Sequence, residues 1–80
     1  MWIMTQTKNQ LVNTDQIVNI WADRKTCTVR ATTVKNNEVS AITLGSYATY
    51  DVCLGVLEKL YLDLGDGETA VVKMPLGGEV

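Results

Sequence analysis

Leu44-Gly45-Ser46-Tyr47-Ala48-Thr49 is the stretch that decides the fold. Before it, apolar and polar residues alternate. After it, apolar residues recur at intervals of three and four. A strand therefore ends here, the chain turns at a glycine, and an amphipathic helix begins. Thr49 is placed to cap that helix and Asp51 falls in its first turn, where a carboxylate meets the positive end of the helix dipole. Cys53, Val56, Leu57, Leu60 and Leu64 then form one stripe, and each large aliphatic member contributes about 1.5–3 kcal/mol on full burial. Gly65 is the expected stop, with Asp66-Gly67 continuing the turn.

Upstream of the junction the chain reads as β. Residues 2–6 form a first strand, Lys8-Asn9-Gln10 turns, Leu11-Val12-Asn13 resumes, and Asn13-Thr14-Asp15 kinks the chain. Residues 16–22 are a β-branched run around Trp21. Asp23-Arg24-Lys25 turns into a strand over residues 26–34, with Cys27, Val29 and Ala31 on one face and Thr28, Arg30 and Thr32 on the other. Asn36-Asn37 is a two-residue hairpin turn, because asparagine tolerates the positive φ such turns demand. Residues 38–44 return, with Ser40, Ile42 and Leu44 facing one way and Val39, Ala41 and Thr43 the other. Downstream of the helix, residues 70–74 make a last strand, ended by Pro75. The expectation is an α+β fold: an antiparallel sheet of about five strands with one helix packed on it, in the order β-β-β-β-α-β. Residues 1–76 form the single domain, and residues 77–80 a flexible tail.

At 80 residues the chain has room for one small core, which buries roughly 60% of the surface that the unfolded chain exposes. Small cores are commonly supplemented by disulfides, metals or oligomerisation. The two cysteines, Cys27 and Cys53, and the absence of histidine do not supply a zinc site. No basic segment followed by a long apolar one opens the sequence, and no apolar run reaches the roughly 20 residues of a membrane span. A reduced, cytoplasmic protein with two core thiols, no cofactor, no metal and no membrane partner is expected. Oligomerisation remains as the supplement.

The net charge of −2 is unevenly spread. Five basic residues against three acidic ones give residues 1–40 a charge of +2, and two against six give residues 41–80 a charge of −4.

The order of short motifs resembles a group of small uncharacterised proteins of Gram-positive bacteria and their phages or prophages. The residues that carry the resemblance are Met1-Trp2-Ile3, Leu11-Val12-Asn13, Ile17 and Ile20, Leu44-Gly45-Ser46-Tyr47, Val56-Leu57 and Met74-Pro75. The group has acidic residues at the helix start, where this chain has Tyr50, Asp51 and Val52. The resemblance implies the fold and a phage or prophage setting, and transfers no activity and no site residue.

Catalytic constellations are missing from the residues. Without histidine the common nucleophile–base pairs cannot form. Cys53 lies on the helix stripe and Cys27 on the inward set of its strand, positions where a thiol acts as a small hydrophobe. Gly65-Asp66-Gly67-Glu68-Thr69-Ala70 has a dinucleotide-binding spacing but follows a helix and opens a strand, the reverse of the required context. Asp63, Asp66 and Glu68 do not make a calcium loop, because Gly65 occupies the second ligand position of an EF-hand and the loop is too short. Asp51 and Glu58 stand two helical turns apart, as solvated charges. The chain is therefore expected not to be an enzyme. Two binding functions remain. One is a small interaction protein acting as a homo-oligomer, a dimer above all, with Trp2, Trp21 and Tyr50 as interface residues. The alternative is a nucleic-acid-binding module using Arg24, Lys25, Arg30 and Lys35 beside Trp21, against which the sequence pI of 4.8 weighs.

Overall fold

The computed structural model describes residues 1–65 and 71–76. Among these residues are six strands, β1 (Trp2–Met4), β2 (Leu11–Asn13), β3 (Ile17–Asp23), β4 (Thr28–Lys35), β5 (Glu38–Ser46) and β6 (Val71–Lys73), one α-helix, α1 (Tyr50–Gly65), and a single 3-10 turn over Thr14–Gln16. The α+β class is as expected. The single sheet is not: the strands divide into two three-stranded sheets, ordered β2-β1-β6 and β3-β4-β5.

The larger sheet is an antiparallel meander built by local turns. Asn36 and Asn37 have φ of 52° and 66°, the mirror-image turn that matches strand twist, so Lys35 faces Glu38 and the ladder runs back to Thr28 opposite Ser46. One face of this sheet is core. Val29 and Ala31 are fully buried on β4, Leu44 is buried on β5, and Ile20, Ala22 and Ile42 pack at their margin. Cys27 departs from the expected strand face. It has φ of 52° and precedes β4 in the turn, half-buried against the core. The chain cannot begin pairing until Thr28 because Asp23 still shapes the turn, its Oδ1 accepting from the Lys25 N–H at 2.9 Å.

The smaller sheet explains why residues 2–13 are two strands. Thr5 N–H donates to the Gln10 carbonyl at 3.0 Å and Lys8, at φ 61°, closes the turn onto Thr5. β2 therefore folds back antiparallel on β1 instead of prolonging it. β6 then pairs with β1 in parallel, Ile3 beside Val72, so the molecule is not wholly antiparallel. Ile3, Val12 and Val72 share the inward face and are all buried. A parallel neighbour needs a long crossover, which the larger sheet and α1 provide.

The capping expected of Thr49 is present, its Oγ1 accepting from the Val52 N–H at 3.2 Å. Cys53, Val56 and Leu60 are the buried residues of α1, which packs on β3, β4 and β6. Leu57 is half-buried rather than central. The contact line runs between Val56 and Leu60, and that places Leu57 on one flank and Val52 on the other. The expected strand residue Ala70, the turn at Asp66-Gly67 and the tail over residues 77–80 lie outside the described residues.

The junction that opened the sequence reading works by close packing. A Cβ on Gly45 would stand 2.6 Å from the Tyr47 hydroxyl, so only glycine leaves room for that ring. The Tyr47 O–H in turn donates to the Pro75 carbonyl at 2.8 Å. The Leu-Gly-x-Tyr and Met-Pro motifs meet in space, fastening the end of the chain to the end of β5.

Candidate interaction surface

The residues with binding chemistry are distributed over three regions. Trp2 lies on the outer face of β1, 43% exposed, next to Val71 in the ladder. It borders a groove of about 430 Å³ lined also by Leu11, Gln16, Thr33, Lys35 and Ile42. Trp21 lies on the other side of the larger sheet, directly opposite Arg30 in the ladder. The Arg30 guanidinium carbon stands 6.0 Å from the Trp21 ring centroid, and the Arg30 Nε is buried with no hydrogen-bond partner among the described residues. Tyr50 begins α1, and the Arg24 guanidinium carbon lies over its ring at 4.7 Å. That cation–π contact joins the β3–β4 turn to the helix start.

The structure therefore separates the candidate basic cluster. Arg24 and Lys25 sit in the turn at one end of the larger sheet. Arg30 lies mid-strand beneath Trp21. Lys35 closes the far end of β4, roughly 16 Å further along at about 3.3 Å per residue, and lines the groove on the opposite face. Arg24 is engaged by Tyr50 and Arg30 by Trp21, so neither projects freely. Likewise Trp2, Trp21 and Tyr50 occupy three different surfaces and do not converge on one contact.

Other chemistry is equally dispersed. Both cysteines are free. Burial pushes the Cys53 thiol above its ordinary value, and the neighbouring Cys27 adds to the rise, so Cys53 stays protonated in the core. Asp63 forms an ion pair with Lys59 at 2.8 Å, and Asp66 and Glu68 lie outside the described residues. Among the described residues no group of three or more histidine, cysteine, aspartate or glutamate side chains could hold a metal ion, and no helix is long and apolar enough to cross a membrane.

Two features escaped the sequence reading. Beside its buried stripe, α1 carries a second one, Leu54, Leu57 and Tyr61, again spaced three and four. Leu54 is 41% and Tyr61 77% exposed, and Leu62 continues the apolar surface around the helix at 63%. Its spacing was visible in the sequence, but the breadth of the apolar arc hid that it exceeds what one sheet face covers. The second is the free edge of β5, which depends on strand order and has no local signature. No protein family, curated protein or solved structure matches the chain.

Proposed function

We propose that this protein is a non-enzymatic interaction module of a phage or prophage that works as a homo-oligomer, a dimer in the simplest case. The observation that supports it is the exposed second stripe of α1. Monomeric surfaces scatter large apolar residues singly, whereas contiguous ones mark contact sites. Leu54, Tyr61 and Leu62 lie exposed on one side of α1, on a chain whose small core leaves a small surplus of stability. The phage setting rests on the order of sequence motifs alone. Static light scattering from about 1 to 100 μM tests the reading, a range that covers micromolar affinities. The expected mass is twice that of the 8.8 kDa chain. A mass that stays at 8.8 kDa across the range removes the proposal.

Nucleic-acid binding is the second reading, favoured by one observation: Trp21 and Arg30 lie together on an uncovered sheet face, the arrangement that stacks bases on single-strand-binding sheets. Fluorescence polarisation with single-stranded probes separates the two. Binding that weakens steeply with added salt supports this reading. No binding at tens of micromolar protein dismisses it.

A further inference from the structure

We infer that the free edge of β5, over residues Val39–Thr43, is where a second copy of this chain adds, antiparallel about Ala41, so that two three-stranded sheets become one. This inference rests on the homo-oligomer reading and adds a contact apart from the α1 stripe, since α1 packs on β3, β4 and β6.

The backbone of β5 shows which groups are free. A two-residue hairpin turn closes with a pair that exchanges both hydrogen bonds, here Lys35 and Glu38. Antiparallel ladders alternate from there. Ser40 and Ile42 bond to Thr33 and Ala31, while Val39, Ala41 and Thr43 stand opposite their β4 partners without bonding and direct their N–H and C=O groups away from the sheet. Beyond Thr43 a bulge at Leu44 shifts the register by one residue, so the outward set changes there. Ser46, opposite Thr28, also directs its backbone outward, and there the Gln6 side chain meets it, Nε2 donating to the Ser46 carbonyl at 3.0 Å and Oε1 accepting from the Ser46 N–H at 2.8 Å. Gln6 N–H donates to the Leu44 carbonyl at 2.8 Å as well. Gln6 thus takes the place of a neighbouring strand above Leu44. Among the described residues nothing does so for Val39, Ala41 and Thr43.

The other edges are protected. β3 is bulged at Val18 and ends in Asp23, and the outer strands of the small sheet are three residues long. The stretch of β5 over residues 39–43 has none of these devices: it contains no charge and no proline, and the bulge of β5 lies beyond it, at Leu44. The register is also self-complementary. Turned about a twofold axis through Ala41, Val39 meets Thr43 of the second copy and Ala41 meets Ala41, so that every outward group finds its complement in about six hydrogen bonds. A shift of one residue would turn bonded groups toward one another, and a shift of two would lose pairs at one end. Such a contact is isologous, the form that closes as a dimer. It also covers Val39, which is 69% exposed.

Sedimentation velocity of the full chain tests this with Ala41→Lys, Ala41→Glu and an equimolar mixture of the two, each first checked for folding by circular dichroism. In the inferred register the two side chains at position 41 face each other at about 5.5 Å between Cα atoms. Each variant alone is expected to sediment as a monomer, with association weakened by at least about tenfold, and the mixture to regain the dimer of the unaltered chain. Ala41→Thr, uncharged and β-branched, is expected to dimerise and to show that the position tolerates a larger side chain. If the unaltered chain dimerises and the charged variants do so equally, the β5 contact is overturned while the homo-oligomer reading stands. If the charged variants are monomeric and the mixture stays so, pairing about Ala41 is overturned. If the unaltered chain is a monomer throughout, both readings fall.

Discussion

Leu44 and Val39 belong to one strand and are both apolar, yet Leu44 is 1% exposed and Val39 69%. The difference comes first from the face each occupies, Leu44 turning to the core beside Ile42 and Val39 to the opposite face, and then from what the chain lays against each half of β5. Around Leu44 it brings the Gln6 turn, the Tyr47 ring and Pro75. Around residues 38–43, among the described residues, β4 alone pairs, on one side. Strand propensity is alike in the two halves, so it cannot account for the contrast. Facing and tertiary cover do, and the cover divides the edge of β5 into a part that holds the monomer together and a part available to a partner.

The largest expected effect falls on the covered half. Leu44→Ala removes a fully packed side chain from between the larger sheet and the helix side of the core, and should destabilise by about 2–5 kcal/mol. In a domain of this size that is most of the net stability. Urea unfolding at low micromolar concentration measures it. A loss below about 0.5 kcal/mol, the scale of surface changes, would show that Leu44 does not separate the halves.

A smaller effect probes how the covered half is fastened. Tyr47→Phe keeps the ring that Gly45 accommodates and removes the O–H that donates to the Pro75 carbonyl at 2.8 Å. Pro75 is buried, and among the described residues its carbonyl then keeps the longer contact from Gln6 Nε2 at 3.4 Å. The expected cost is about 1–3 kcal/mol, with earlier amide exchange at Met74, whose N–H is bonded to the Met4 carbonyl. Unchanged exchange there would mean that the chain end is held by the small sheet alone.

What the sequence made legible was local. The Asn36-Asn37 turn, the Thr49 cap and the stripe Cys53, Val56 and Leu60 each depend on a few neighbouring residues, and each is present. The division into two sheets was not legible, because β1, β2 and β6 are three residues each and three residues cannot display an alternation. The parallel pairing of β1 with β6 joins opposite ends of the chain, and no short-range pattern encodes it. The candidate site divides the same way. Trp2, expected as an interface residue, is exposed beside the groove. Tyr50 was read as an interface residue, but Arg24 lies over its ring, a contact set by the turn geometry of another strand pair. The scattering of Arg24, Lys25, Arg30 and Lys35 follows from the length of β4, which places the turn and the hairpin at opposite ends of the sheet.

The smallest expected effect tests the open half directly. Val39→Ala trims a side chain that rests against the strand surface and little else, so unfolding of a dilute sample should shift by no more than about 0.5 kcal/mol. The informative variable is concentration. A partner strand that covers Val39 stabilises the folded state by mass action, so the melting temperature of the unaltered chain should rise with concentration, and that of Val39→Ala should rise less. If Val39→Ala is instead as costly as Leu44→Ala in dilute solution, then residue 39 is already covered within one chain. The two halves of β5 would then not differ, and the free edge that distinguishes them would not exist.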